Sequence, residues 1–158
     1  MNAAPGVASR ASSPSIELED QLFPLVVTTF GETPMTDDDV RGYCRDLDAL
    51  AERRGRFVHL IDTTRQKTSA SPVQRRIFAD WLSDPRAQRL AATRIGDAVV
   101  ITNALVRGAV TAVFWIRPPV APTKIFATPR ESIAWIEERA RDAGITLSPA
   151  MRERITRG

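Results

Sequence analysis

Residues 57–61 are apolar except for His59, and the run closes on Asp62. An uninterrupted apolar stretch of strand length predicts a strand buried on both faces, the central strand of a parallel α/β layer. Residues 63–71 then switch to hydroxyl and basic side chains. At their end the chain reads Ser71-Pro72-Val73-Gln74. Ser71 can cap a helix, Pro72 suits its first position, and Gln74 can reach back to the N–H of the cap.

The same reading extends along the chain. Alternation over residues 16–19 and a β-rich run over residues 22–30 predict a hairpin turning at Asp20-Gln21, with the alternating strand at the edge. Thr36, followed by Asp37, Asp38 and Asp39, opens a helix. Its stripe of Val40, Tyr43, Cys44, Leu47, Leu50 and Ala51 faces inward, and Gly55 stops it. After Pro72, the residues Val73, Ile77, Phe78, Trp81 and Leu82 share a face, and Ser83-Asp84-Pro85 breaks the helix. Residues 95–102 form a strand around Ala98-Val99-Val100-Ile101. Asn103 then caps a helix over residues 104–116.

That helix is apolar around much of its circumference, so it needs cover on more than one side. The expected outer face, Val106, Val110, Val113 and Phe114, would be covered by a second copy or by the segment after Gly144. Gly108, Ala109 and Ala112 would admit another backbone closely. A last strand lies around Ile125 and Phe126. Thr128-Pro129-Arg130-Glu131 then forms a complete capping box, opening a helix that carries Ile133, Ile136, Ala140 and Ala143 inward and stops at Gly144.

The resulting order is β-β-α-β-α-β-α-β-α. It predicts one α/β domain over residues 15–144, with a mixed, mostly parallel sheet of about five strands, an N-terminal antiparallel hairpin and about four flanking helices. Residues 1–14, rich in Ala, Ser, Gly and Pro, read as a disordered tail. Residues 145–158 read as a C-terminal tail or short helix beginning at Ser148-Pro149. No 20–50-residue repeat is present.

Composition narrows the chemistry. The chain has 158 residues, 43% of them hydrophobic and 26% charged, as in an ordinary globular domain. Lys67 and Lys124 are the only lysines among 22 basic side chains, and net charge is +3. One cysteine, Cys44, permits no internal disulfide. With His59 as the only histidine, a transition-metal site is not expected. No run is long enough to span a bilayer and no signal-peptide core is present, so the expectation is a cytoplasmic, bacterial-type protein.

The Val58-His59-Leu60-Ile61-Asp62-Thr63-Thr64 strand and loop, the Ala98-Val99-Val100-Ile101-Thr102-Asn103 strand and the ending from Lys124 to Ile136 resemble the STAS and SpoIIAA-like group. These small α/β domains are related to anti-sigma-factor antagonists and, in shape, to the Sec14 lipid-binding fold. The resemblance covers residues 15–143 and rests on hydrophobic patterns. It implies a non-enzymatic module that docks a protein partner, in some members under control of a phosphorylated Ser or Thr after the central strand. It also implies that some relatives hold a nucleotide or an apolar ligand. The longer loop and the apolar third helix depart from the antagonists.

Ligands of open α/β sheets lie beyond the carboxyl ends of the strands. The expected docking or regulatory set is therefore Asp62, Thr63, Thr64, Arg65, Lys67, Thr68, Ser69 and Ser71. Asp62 lacks the neighbouring strand-end carboxylates of a metal-dependent phospho-acceptor and is expected to organise its loop. His59 has no evident Ser, Cys or second His partner, and no Gly-rich phosphate loop is present. Arg65, Lys67, Arg75 and Arg76 lack interleaved aromatics and do not suggest nucleic-acid binding. Arg107, Val110 and Phe114 mark the third helix as a ligand or interface element, with Arg107 either reaching solvent, meeting an acid or touching an anion. No cofactor or metal is expected; a homodimer and an apolar ligand are both allowed. The first function predicted is partner docking through residues 63–71. The alternative is an apolar-ligand or lipid carrier with a closed cavity of several hundred cubic ångströms beside residues 105–116.

Overall fold

Strand register decides which side chains reach each face of the sheet. The computed structural model describes residues 11–12 and 15–158. The expected tail otherwise lies outside the described residues. Within it, Ala11–Ser12 forms a short strand, β1, paired antiparallel with β2 (Ile16–Glu19). Strand β3 (Leu25–Phe30) runs antiparallel to β2, as the alternation of residues 16–19 predicts. Then β4 (Val58–Asp62), β5 (Gly96–Val100) and β6 (Thr123–Phe126) extend the sheet in parallel. The spatial order is β1-β2-β3-β4-β5-β6, so each strand lies beside its neighbour in sequence. The fold is thus the expected α/β class, with six strands where about five were expected because β1 adds to the edge of β2.

Helix α1 (Asp37–Arg54) begins with a complete box between Thr36 and Asp39 and ends at Gly55, whose φ of 79° suits glycine. Helix α2 (Pro72–Ser83) has the predicted box between Ser71 and Gln74. Asp84 accepts from the N–H groups of Arg86 and Ala87 and starts α3 (Pro85–Ala91), so the predicted break makes two helices. Asn103 caps α4 (Ala104–Ile116), and Thr128 caps α5 (Pro129–Asp142), where the Glu131 carboxylate accepts from the Ala127 N–H instead of closing the expected box on Thr128. Ser148 caps α6 (Pro149–Arg157). Six helices replace about four because α2 and α3 are separate and the C-terminal segment folds.

Successive residues of each strand face opposite layers. Val26 and Ile61 meet α1 and α2, while Val99, Ile61 and Ile125 meet α4. On the other face Val27, Leu60, Ala98 and Val100 pack with Ile136 and Ala140 of α5 and with Met151 and Ile155 of α6. The segment after Gly144 is therefore part of a core. Arg154 also reaches β2, where it pairs with Glu19 at 2.6 Å.

The expected orientation of α4 is reversed. Val106 and Val113 are buried, Val110 and Phe114 are half-buried, and the open stripe carries Leu105, Ile116 and Trp115, the last 86% exposed. Val106, Val110 and Val113 recur at helical spacing, and the apolar pair Val99 and Ile101 takes that stripe. Residues after Gly144 lie across the sheet from α4, so they leave its outer side uncovered. No atom outside its own helix and immediate neighbours lies within 4 Å of a Cβ built at Gly108, so no backbone uses the expected close approach. Val73 also departs from its expected inward face. It sits in the first turn of α2 and is 54% exposed.

Candidate functional site

Parallel pairing brings Val26, His59, Asp97 and Thr123 into one row across β3, β4, β5 and β6. All four lie on the sheet face covered by α1, α2 and α4. Polar side chains in such a row are costly to bury unless they find one another. His59, at 0% exposed, has its Nε2 2.8 Å from the Thr28 hydroxyl, which lies 3.4 Å from the Tyr43 hydroxyl. Its Nδ1 stands 3.4 Å from Asp97 Oδ1, too long for a strong hydrogen bond but within electrostatic reach. Arg94 Nε donates to both Asp97 oxygens, at 2.9 and 3.1 Å.

This polar row forms part of the wall of a cavity of ≈ 130 Å³ between the sheet and helices α2 and α4. Tyr43, His59, Arg94 and Asp97 reach its wall, while Thr28 does not. The remaining lining is mostly apolar, with Phe78 and Trp81 from α2 and Val106, Val110, Val113 and Phe114 from α4. Thr63, Gln66 and Ala70, from the loop after β4, also line it.

The electrostatics keep the histidine neutral. Burial lowers the His59 pKa from its usual value, and Arg94 adds to that effect while Asp97 opposes it. Burial alone would raise Asp97, but the Arg94 guanidinium and the His59 imidazole outweigh it and hold the carboxyl low. Burial pushes Tyr43 up, so its phenol stays protonated. Asp97 can only accept, which favours the His59 proton on Nδ1. The hydroxyl, imidazole and carboxylate of Thr28, His59 and Asp97 follow the order of a nucleophilic triad. Here the hydroxyl is sealed away from the cavity and Arg94 already occupies the carboxylate.

The expected regulatory loop divides by exposure. Asp62 is buried, and its Oδ1 accepts the Thr64 N–H at 2.8 Å, the loop-organising role expected of it. The Thr63 hydroxyl donates to the Val100 carbonyl at 2.7 Å, and Thr63 is buried. Ser71 accepts the Gln74 N–H at 3.1 Å, and Ser69 is half-buried. Arg65, Lys67 and Thr68 face solvent, with Lys67 paired to Glu32 at 2.9 Å. Much of the loop is thus a cavity wall and a helix cap. Arg107 is exposed and its Nη2 donates to the Ile101 carbonyl at 2.9 Å; among the described residues it meets no acid. Of the α4 trio, Val110 and Phe114 reach the cavity.

The sequence reading did not reach Tyr43, Arg94 and Asp97 as site residues. His59 also had an unforeseen partner in Thr28, a hydroxyl on the adjacent strand. The usable signal was two polar residues, His59 and Asp97, inside consecutive apolar strands. Among the described residues no group of three or more His, Cys, Asp or Glu side chains is placed to hold a metal, and no helix is long and apolar enough to cross a membrane. No family model, curated protein or solved structure matches this chain.

Proposed function

We propose that this protein is a non-enzymatic binding domain of STAS and SpoIIAA-like type that holds a small, mainly apolar molecule between its sheet and α4. The cavity carries this reading. Its ≈ 130 Å³ is well below the several hundred cubic ångströms of a lipid carrier and close to the ~150 Å³ of an apolar cavity that takes up benzene. A molecule of about one ring therefore suits it better than an acyl chain. Apolar walls supply the affinity and the polar row orients the guest, the usual division of labour in a ligand pocket. Thr63, Gln66 and Ala70 of the loop after β4 form part of its wall.

The test uses the full-length protein and a panel of one-ring molecules, neutral and charged, read by thermal shift and calorimetry. A guest at about 100 times its Kd should stabilise the fold by about 2.7 kcal/mol. Val110→Phe, which adds volume at the half-buried cavity wall, should keep the fold and abolish that shift. A panel that binds nowhere, or binds Val110→Phe equally well, overturns the reading. A second reading, docking of a protein partner, rests on the outward Arg65, Lys67 and Thr68 of the same loop.

A further inference from the structure

Arg94 is 5% exposed and lines the cavity. Its Nε is committed to both oxygens of Asp97. The terminal Nη1 and Nη2 form no hydrogen bond to any described residue. Neither is among the sealed polar atoms that lack a partner, which are Asp20 Oδ1, His59 Nδ1 and Asp62 Oδ2. Nitrogens that are neither bonded nor sealed touch open space, and for a side chain this buried that space is the cavity. Asp97 thus takes the Nε side of the guanidinium and leaves the end of the fork to a second acceptor.

An arginine has donors only, so its partner must bring acceptor oxygens, and a carboxylate matches the spacing of two parallel N–H groups. Resting on the ligand-binding reading above, we propose that the cavity takes a small apolar carboxylic acid whose carboxylate is held by Arg94 Nη1 and Nη2. The ring or branched carbon body lies against Val106, Val110 and Phe114. Arg94 and Asp97 cancel in charge, so a bound carboxylate adds one negative charge to the row. A cationic guest would meet the same donors end-on and be rejected.

Phenylacetate, ethylbenzene and phenethylamine share a ring and differ in the head. Calorimetry on the full-length protein should find phenylacetate at least about tenfold tighter than ethylbenzene, with phenethylamine weakest. Arg94→Met should bring phenylacetate down to the ethylbenzene level and leave ethylbenzene unchanged. Should Arg94→Met fail to fold, Arg94→Lys keeps a charge opposite Asp97 while losing the fork, and should weaken phenylacetate alone. Wild-type protein that binds ethylbenzene as tightly as phenylacetate overturns the carboxylate assignment and leaves the cavity reading standing. The same holds for an Arg94 substitution that weakens both guests equally or neither. Protein that binds none of the three overturns both.

Discussion

Acid should destabilise this protein through His59 well before its low-pKa carboxylate Asp97 titrates. The folded imidazole is fully buried, and burial first, then Arg94, hold its pKa below the usual 6.5, with Asp97 opposing. Unfolding returns the ring to water, where it binds a proton more readily. Stability contributed by the neutral ring is therefore complete above about pH 6.5 and is lost as the pH falls from there toward the folded pKa. One proton limits the slope to about 1.4 kcal/mol per pH unit, a large share of a total stability of about 5–15 kcal/mol. Asp97 is also held low, so its own contribution survives until the pH falls below its usual 3.8. Asp48, raised by burial against the Trp81 hydrogen bonds, has the opposite sign and favours the fold in acid. Tyr43 stays protonated throughout. Urea unfolding between about pH 5.5 and 8 should show wild-type stability dropping below about 6.5. His59→Gln, which keeps a polar partner for Thr28, should remove most of that slope. Equal slopes in the two proteins, or a wild type more stable at the acid end, would refute the argument.

Two further substitutions probe the frame of the site. A Cβ at Gly96 would stand 2.8 Å from Cη2 of the Trp135 ring, so Gly96→Ala should lose about 1–3 kcal/mol in urea unfolding, largely recovered by adding Trp135→Leu. Stability unchanged in the single variant would mean that the indole swings aside at no cost. In the loop, Thr63→Val removes a buried hydroxyl bonded to Val100 and should lose about 0.5–1.5 kcal/mol, while Thr68→Glu on the exposed side should stay within about 0.5 kcal/mol. The reverse order would make residues 63–71 a free surface instead of a wall.

Local chemistry was what the sequence displayed well. The caps at Thr36 and Ser71, the Asp84 break and the Asn103 cap depend on residues within four positions of one another, and each lies where the pattern put it. The orientation of α4 was hidden because a helix apolar on most sides gives no signal for its inner face. Here the sheet residues Val99 and Ile101 decide it. Residues 145–158 read only as a tail or short helix because Leu147, Met151 and Ile155 find their partners at long range, on α5 and the even-numbered face of β4 and β5. The site was hidden for the same reason. Arg94 and Asp97 are three residues apart, but His59 lies on another strand, and the register of β4 against β5 brings it to them.

That register also explains why the cavity lies beneath the helices, with Thr63, Gln66 and Ala70 of the loop after β4 in its wall. Strand order follows sequence order, and the helices of the first three crossovers, α1, α2 and α4, all pack on one face. That face must accept Thr28, His59 and Asp97 among its apolar residues. Removing two charges from water costs several kcal/mol per ion, and a well-packed apolar pair in place of Arg94 and Asp97 would be at least as stable. The observed pair is also incompletely satisfied, since only the Nε of Arg94 is bonded. Such an arrangement gives the empty fold little. It would favour a guest with acceptor oxygens, because donors already held in place by Asp97 lose little freedom when it arrives. On the proposed reading, the charge pair is one half of a binding site whose other half a ligand would bring.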